Sequence, residues 1–116
     1  MKVYVAGKYD DENVAKVLRN IRNGVDSSAY LVSRGASVYC PFLDFQFALS
    51  QYGARLTKQD YQRNSIAFLP FCDCIYAMPG WETSGGAKRE VELAVELGIP
   101  IYYDMGTVVL ELPEDR

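Results

Sequence analysis

Short β-rich runs alternate along this chain with stretches of helical period, and that alternation excludes most folds. "KVYVAG", residues 2–7, reads as a buried strand with its exit turn at Gly7. Val14, Val17, Leu18, Ile21 and Val25 then recur at helical spacing, and Ala29 and Val32 continue the stripe; Asp10 or Asp11 is placed to cap this helix and Gly35 to end it. "ASVYC", residues 36–40, is a second strand stopped by Pro41. A second helix is expected from about Thr57 to Leu69, with Pro70 near its end. "DCIYAM", residues 73–78, is a third strand followed by the turn "PGW", a third helix spans about 84–97, and "IPIYYD", residues 99–104, is a fourth strand. "TVVLEL", residues 107–112, reads as a fifth strand before a charged tail. Strands alternating with helices imply an α/β fold, a parallel sheet with helices on both faces. Right-handed crossovers then bring the strand-to-helix turns to the carboxyl edge, where ligands bind. "GKYDD", "PFLDFQ" and "PGWETSGG" converge there. Residues 41–56 have no clean period and are aromatic-rich and long for a loop, a combination often tied to function.

No repeat or domain boundary is visible, so residues 1–116 read as one domain, long enough to bury a core. Hydrophobic residues make up 49% and charged residues 23%, the composition of a globular protein. The net charge of −3 argues against a nucleic-acid polymer as partner, yet leaves room for a single nucleotide, which needs only a local anion site. No apolar run reaches the ~18 residues of a membrane span, and the N-terminus enters a strand at once, so neither a membrane partner nor a signal peptide is expected and the location is read as cytoplasmic. The odd cysteine count, Cys40, Cys72 and Cys74, fits a reducing compartment; Cys72 and Cys74 would share a strand face, and all three are read as buried small hydrophobes. There is no histidine, so no metal site is expected and every Ser-His or Cys-His arrangement is excluded. Catalysis would have to run on carboxylates, tyrosine, lysine or backbone dipoles.

Within that inventory Glu90 stands out. On a wheel of about 100° per residue, Ala87, Val91, Leu93, Ala94, Val95, Leu97 and Gly98 form a broad apolar arc, with Lys88, Arg89, Glu92 and Glu96 opposite. Glu90 is the charged residue inside the arc, between Leu97 and Ala94. A carboxylate on the packed side of a helix is costly unless something specific solvates it. Pairing with Arg63 or Arg55 would be one explanation; attack on an electrophilic carbon, or steadying of a cation, would be another. "TSGGA" opens the same helix, and its free N–H groups, the helix dipole and the Ser84 hydroxyl make an anion site that Gly85 and Gly86 let a ligand approach; a bare helix cap reads the same way.

"YVAGKYD", "GASVYCPFLDFQ" and "CDCIYAMPGWETSGGAKREVELAVELGIPIY" together resemble the nucleoside 2-deoxyribosyltransferase-like superfamily, and most of all its small branch carrying the "PGW…S.GA..E...A..LG.P" signature. The resemblance covers nearly the whole chain in order, and the spacing of Glu90, Ala94 and Gly98 is its most specific part. It implies a flavodoxin-like three-layer α/β fold with four to five parallel strands, and cleavage or transfer at the N-glycosidic bond of a nucleoside or nucleotide. The family nucleophile falls on Glu90, a carboxylate suited to trap the oxocarbenium-like C1′ left by the departing base. Gly7 and Tyr9 fall on the first-loop motif that lines the pocket, with Lys8 between them, and Gln46 falls near a position that binds the base. Phe45 or Trp81 would stack on that base, although plain packing explains either as well.

This sequence departs from the family pattern twice. Six residues before the nucleophile, nucleoside-transferring relatives carry an aspartate; Ser84 stands there, as in the branch that hydrolyses nucleoside 5′-monophosphates, where serine binds the phosphate. The family aspartate that protonates or positions the leaving base falls on Ser65, with Asn64 adjacent and Asp60 about a turn away. The expectation is an N-glycosidase or (deoxy)ribosyltransferase acting on a nucleotide or nucleoside, with no cofactor and, by resemblance, a homodimeric or higher assembly for which the 41–56 segment is a candidate interface. A non-catalytic nucleotide-binding protein of the same fold is the alternative that Ser65 favours. A protein-interaction module on this scaffold is a third, and it leaves the position of Glu90 unexplained; fold alone does not choose among them.

Overall fold

The computed structural model describes residues 1–112, and the charged tail at 113–116 lies outside the described residues. The element order is β1 (Lys2–Ala6), α1 (Val14–Ser33), β2 (Ser37–Tyr39), α2 (Lys58–Ile66), β3 (Cys74–Ala77), α3 (Gly85–Leu97), β4 (Ile101–Tyr102) and α4 (Met105–Leu110). The strands form one sheet in the order β2-β1-β3-β4. Every pairing is parallel, with Val3 opposite both Val38 and Cys74, and Ile75 opposite Ile101. This is the α/β, flavodoxin-like architecture that the alternation and the resemblance imply.

Successive side chains of a strand point to opposite faces, and β1 builds two cores in this way. Val3 and Val5 join Leu31 of α1, Phe42, Cys74 and Val108 of α4 on one face. Tyr4 and Ala6 join Leu69, Ile75 and, from α3, Val91 and Ala94 on the other. A central strand buried on both faces must be apolar throughout, and Val3, Tyr4, Val5 and Ala6 are all buried.

Several boundaries differ from the sequence expectation. The fifth strand is absent from the described residues: "TVVLEL" falls on α4, because Asp104 caps a helix by accepting from the Thr107 N–H at 3.1 Å, and Val108 packs that helix on the sheet. The cap of α1 is Asn13, which accepts from the Ala15 N–H at 2.8 Å; Asp11 sits one step earlier and accepts from the Asn13 N–H at 2.9 Å. Residues 41–56 are not open coil but two short 3-10 helices, Pro41–Leu49 and Gly53–Arg55. The second helix stops at Ile66, followed by a 3-10 turn at Leu69–Phe71 where Pro70 forbids its continuation. The apolar arc of α3 is narrower than the wheel suggests, with Ala87, Val91 and Ala94 buried but Val95 and Leu97 exposed. Gly98 ends α3 at φ 70, the left-handed conformation glycine adopts without a Cβ penalty. Cys72 and Cys74 do not share a face: β3 begins at Cys74, which lies in the first core, while Cys72 ends the preceding turn and packs against the second. Cys74 is buried, and Cys40 and Cys72 are half-buried.

One packing contact fixes the long segment after β2. Phe42 is buried against Gly24 in α1, where any Cβ would overlap its ring, and its Cζ lies 3.2 Å from where a Cβ on Gly7 would stand. Among the described residues no helix is long and apolar enough to cross a membrane.

Candidate active site

β1 has β2 on one side and β3 on the other, so the chain reverses its direction of progress across the sheet between β1 and β3, the place where open α/β sheets bind ligands. A cleft of about 760 Å³ opens there, within the usual range for small-molecule sites. Gly7 and Tyr9 after β1, Asp44 after β2, Ser65 on α2, and Ser84 and Glu90 of α3 all line it.

Glu90 lies in the second turn of α3, and its Oε2 is enclosed without a hydrogen-bond partner. Neither arginine candidate reaches it. Arg63 donates to Asp60 Oδ1 at 2.8 Å, and no ion pair among the described residues involves Arg55 or Glu90. The neighbour of Glu90 is Tyr4, whose buried phenol approaches without closing a well-formed hydrogen bond. Burial pushes the Glu90 carboxyl up to about 7, and the Tyr4 phenol counters part of that rise. Burial, then the charge of Glu90, pushes the Tyr4 phenol far above its ordinary range. Tyr4 in turn stacks on Tyr39 at 5.5 Å between ring centroids, and Tyr39 on Phe68 at 4.8 Å, so the phenol is held by an aromatic pile.

The start of α3 faces the same cleft. Ser84 is the N-cap, accepting from the Ala87 N–H at 3.2 Å, and its carbonyl accepts from the Lys88 N–H at 3.0 Å. The N–H groups of Gly85 and Gly86 have no partner among the described residues, as expected of a first helical turn. A Cβ on Gly85 would meet nothing, and one on Gly86 would meet only the flexible end of Gln62. Two cations stand by the cleft: Lys58, ion-paired with Asp10, and Arg89, whose Nη1 donates to Gln62 Oε1 at 3.4 Å.

Other residues singled out in the sequence lie apart from this lining. Lys8 is drawn to Asp11 at 3.6 Å. Phe45 and Gln46 belong to the 3-10 helix Pro41–Leu49 but are not among the cleft residues, and Gln46 is exposed. Trp81 packs on Tyr103, with centroids 5.7 Å apart, and not in the cleft. Asp60 is committed to helix structure, accepting from the Thr57 N–H at 2.8 Å in a capping box and from Arg63. Ser65 does line the cleft, buried, with its hydroxyl donating to the Tyr61 carbonyl at 3.0 Å. Asn64 sits beside Asp44.

Tyr4, Asp44, Lys58 and Arg89 were not singled out in the sequence. Asp44 resembles Glu90 in two ways: its Oδ2 is enclosed without a partner, and burial raises its carboxyl above the usual range, partly offset by the Asn64 side chain. Among the described residues no group of three or more Cys, Asp or Glu converges to hold a metal ion.

A family model described as a domain of unknown function, DUF4406, matches residues 1–103. No curated protein matches the chain. The solved structure of a 2-deoxyribosyltransferase from the psychrotolerant bacterium Bacillus psychrosaccharolyticus is similar at a TM-score of 0.58 and 17% sequence identity, over 87% of this chain and 69% of that one. The chain therefore shares the fold of that 2-deoxyribosyltransferase.

Proposed function

The chain belongs to the DUF4406 family, and from that premise we propose that it is a cytosolic N-glycosidase or (deoxy)ribosyltransferase acting on a nucleotide, with Glu90 as nucleophile. The observation that carries this reading is the Glu90 carboxyl itself, which lines the cleft with an enclosed, unpartnered Oε2 and, among the described residues, no neutralising cation. A side chain left in that state costs stability, and attack on the anomeric carbon of a bound sugar gives it a use. The Glu90 carboxylate would add to C1′ as the base departs, forming a glycosyl ester. Water then releases the sugar, and a second base accepts it in transfer. No metal or organic cofactor enters these steps.

The start of α3 supports a phosphorylated substrate. The open N–H groups of Gly85 and Gly86, the Ser84 hydroxyl hydrogen and the nearby Lys58 and Arg89 make an anion site within reach of the same cleft. Gly7 and Tyr9 would shape the sugar pocket. The solved 2-deoxyribosyltransferase supports the chemistry by its fold. We also hold the protein to be a homodimer or higher oligomer, supported by the exposure of Leu43, Phe47, Leu49 and Tyr52 along one segment.

The alternative, a nucleotide binder without catalysis, is favoured by one observation: Ser65, at the position where the resemblance expects an acid, has its hydroxyl engaged by the Tyr61 carbonyl. The test is release of free base, followed by chromatography, from a panel of nucleosides and nucleoside monophosphates. Release by the wild type and none by folded Glu90→Gln is the expected result. Tight nucleotide binding without release over many hours would replace the enzyme reading with the binder.

A further inference from the structure

We propose that Asp44 is the second catalytic carboxyl of this site, the group that hands a proton to the departing base and later takes one from the attacking water. The proposal rests on the N-glycosidase reading of Glu90. Three carboxyl groups line the cleft: Asp10, Asp44 and Glu90. Asp10 is neutralised by Lys58. Asp44 and Glu90 both line the cleft, have no ion pair among the described residues, and each carries one enclosed oxygen without a hydrogen-bond partner. Two carboxyls on one cleft match what glycosidic-bond cleavage requires, one to attack and one to carry the proton.

The candidates suggested by sequence are occupied elsewhere. Ser65 has no acidic proton, and Asp60 is bound by the Thr57 cap and by Arg63, which hold its carboxyl below the usual range. Asp44 is also firmly placed. It follows Phe42 by two residues, and Phe42 is wedged between Gly24 and Gly7. Burial favours its protonated form, as an acid requires. The groups around it are poorly suited to take over its proton. Tyr39 of β2 is pushed up to about 12, first by burial and then by the Asp44 charge itself, and Tyr9 is raised in the same direction. Tyr4 stays neutral, Lys58 is paired with Asp10, and Arg89 donates to the Gln62 side chain.

The steps balance. The Glu90 carboxylate bonds to C1′, the C1′–N bond breaks with its electron pair going to the base, and the Asp44 proton passes to that base. Asp44, now a carboxylate, takes a proton from the water that attacks C1′, and Glu90 leaves as a carboxylate. The sum is nucleotide plus water giving sugar phosphate plus free base. In the transfer direction the incoming base surrenders its proton to Asp44 instead.

The test compares wild type, Asp44→Asn, Asp44→Ser and Glu90→Gln on two leaving groups. One substrate is the nucleoside monophosphate that the wild type cleaves. The other is the 4-nitrophenyl glycoside of the same sugar phosphate, whose leaving group departs as a stable anion and needs no proton. Both Asp44 variants should lose about 10²–10⁴-fold in kcat/KM on the nucleotide and less than about tenfold in kcat/KM on the nitrophenyl substrate, since kcat/KM reports the bond-breaking step, in which that leaving group needs no proton. Their kcat/KM profile should keep the rise with pH that reports Glu90 and lose the fall at higher pH. Equal losses on both substrates, or an unchanged bell-shaped profile, would overturn the role of Asp44. Full activity in both Asp44 variants with Glu90→Gln inactive would remove Asp44 and leave the N-glycosidase reading standing. A wild type that releases no base from any nucleotide would remove both.

Discussion

Replacing Glu90 by glutamine should stabilise this protein, and by an amount that depends on pH. In the fold the Glu90 carboxyl is raised from its ordinary 4.5 to about 7 by burial. In the unfolded chain it titrates near its ordinary value. Between those two pH values the folded state holds a proton that the unfolded state has lost, so stability falls as pH rises through this window. At about 1.4 kcal/mol per pH unit, the penalty reaches about 3 kcal/mol once both states are ionised, above pH 7. Glutamine has nearly the same shape and no charge, so Glu90→Gln escapes that penalty. Below pH 4.5 the carboxyl is protonated in both states, and the two proteins should be nearly equal. At pH 8 the variant should be more stable by about 3 kcal/mol, a rise in Tm on the order of 10 °C for a domain of this size. Urea denaturation of both proteins at intervals from pH 4 to pH 8.5 measures the gap directly, and the difference between the curves cancels Asp44, which titrates in both. A gap that stays flat with pH, or a variant less stable than the wild type at pH 8, would show that Glu90 is solvated by something the structure does not reveal.

Ser84→Ala should lose about 1 kcal/mol of stability through the missing cap to Ala87, and about 1.5–3 kcal/mol of affinity for a nucleoside monophosphate, with the matching nucleoside unaffected; calorimetry on the two ligands separates the terms. Ser65→Asp should cost at least about 2 kcal/mol, because it buries a further carboxyl beside Tyr4 and Glu90. It should leave base release no faster, and a faster variant in the same chromatographic assay would return the acid's role to that position.

The sheet was legible because a strand buried on both faces has to be apolar at every position, and residues 2–6 and 74–77 are nearly so. The misreading of "TVVLEL" has a local cause. β-branched residues favour strands, but Asp104 three residues ahead of Thr107 supplies a helix cap, and a six-residue helix is enough to seat Val108 on the sheet. Glu90 could be found from the sequence because a helix has a fixed period, so one charge on the wrong face is visible in a single chain. Asp44 could not. Pro41–Leu49 winds as a 3-10 helix without an apolar stripe, and nothing in its spacing says which side chain turns inward. Its significance appears only when the fold encloses it near Asn64. Gln46, two residues on, is exposed for the same reason, although the resemblance places it near a base-binding position. Tyr4 is hidden by its own suitability as a strand residue: its ring belongs to the core, and its buried hydroxyl lies beside Glu90 and Ser65.

Gly7, Gly24 and Phe42 come from three separate elements and meet at one point, and this has an evolutionary consequence. No one of the three can drift alone. A methyl group at position 24 overlaps the ring at 42, and one at position 7 crowds both that ring and Met78. Lineages that enlarge Gly24 must shrink the aromatic residue in the same interval, so positions 24 and 42 should vary together or not at all, while a larger residue at position 7 needs a smaller adjustment of Phe42 and Met78. Insertions and deletions face a matching boundary. Chain length between β2 and Phe42 is set by that wedge, whereas from Leu43 onward the segment lies largely exposed through Arg55. Length variation among descendants of this chain should therefore accumulate after Asp44 and stop short of Phe42.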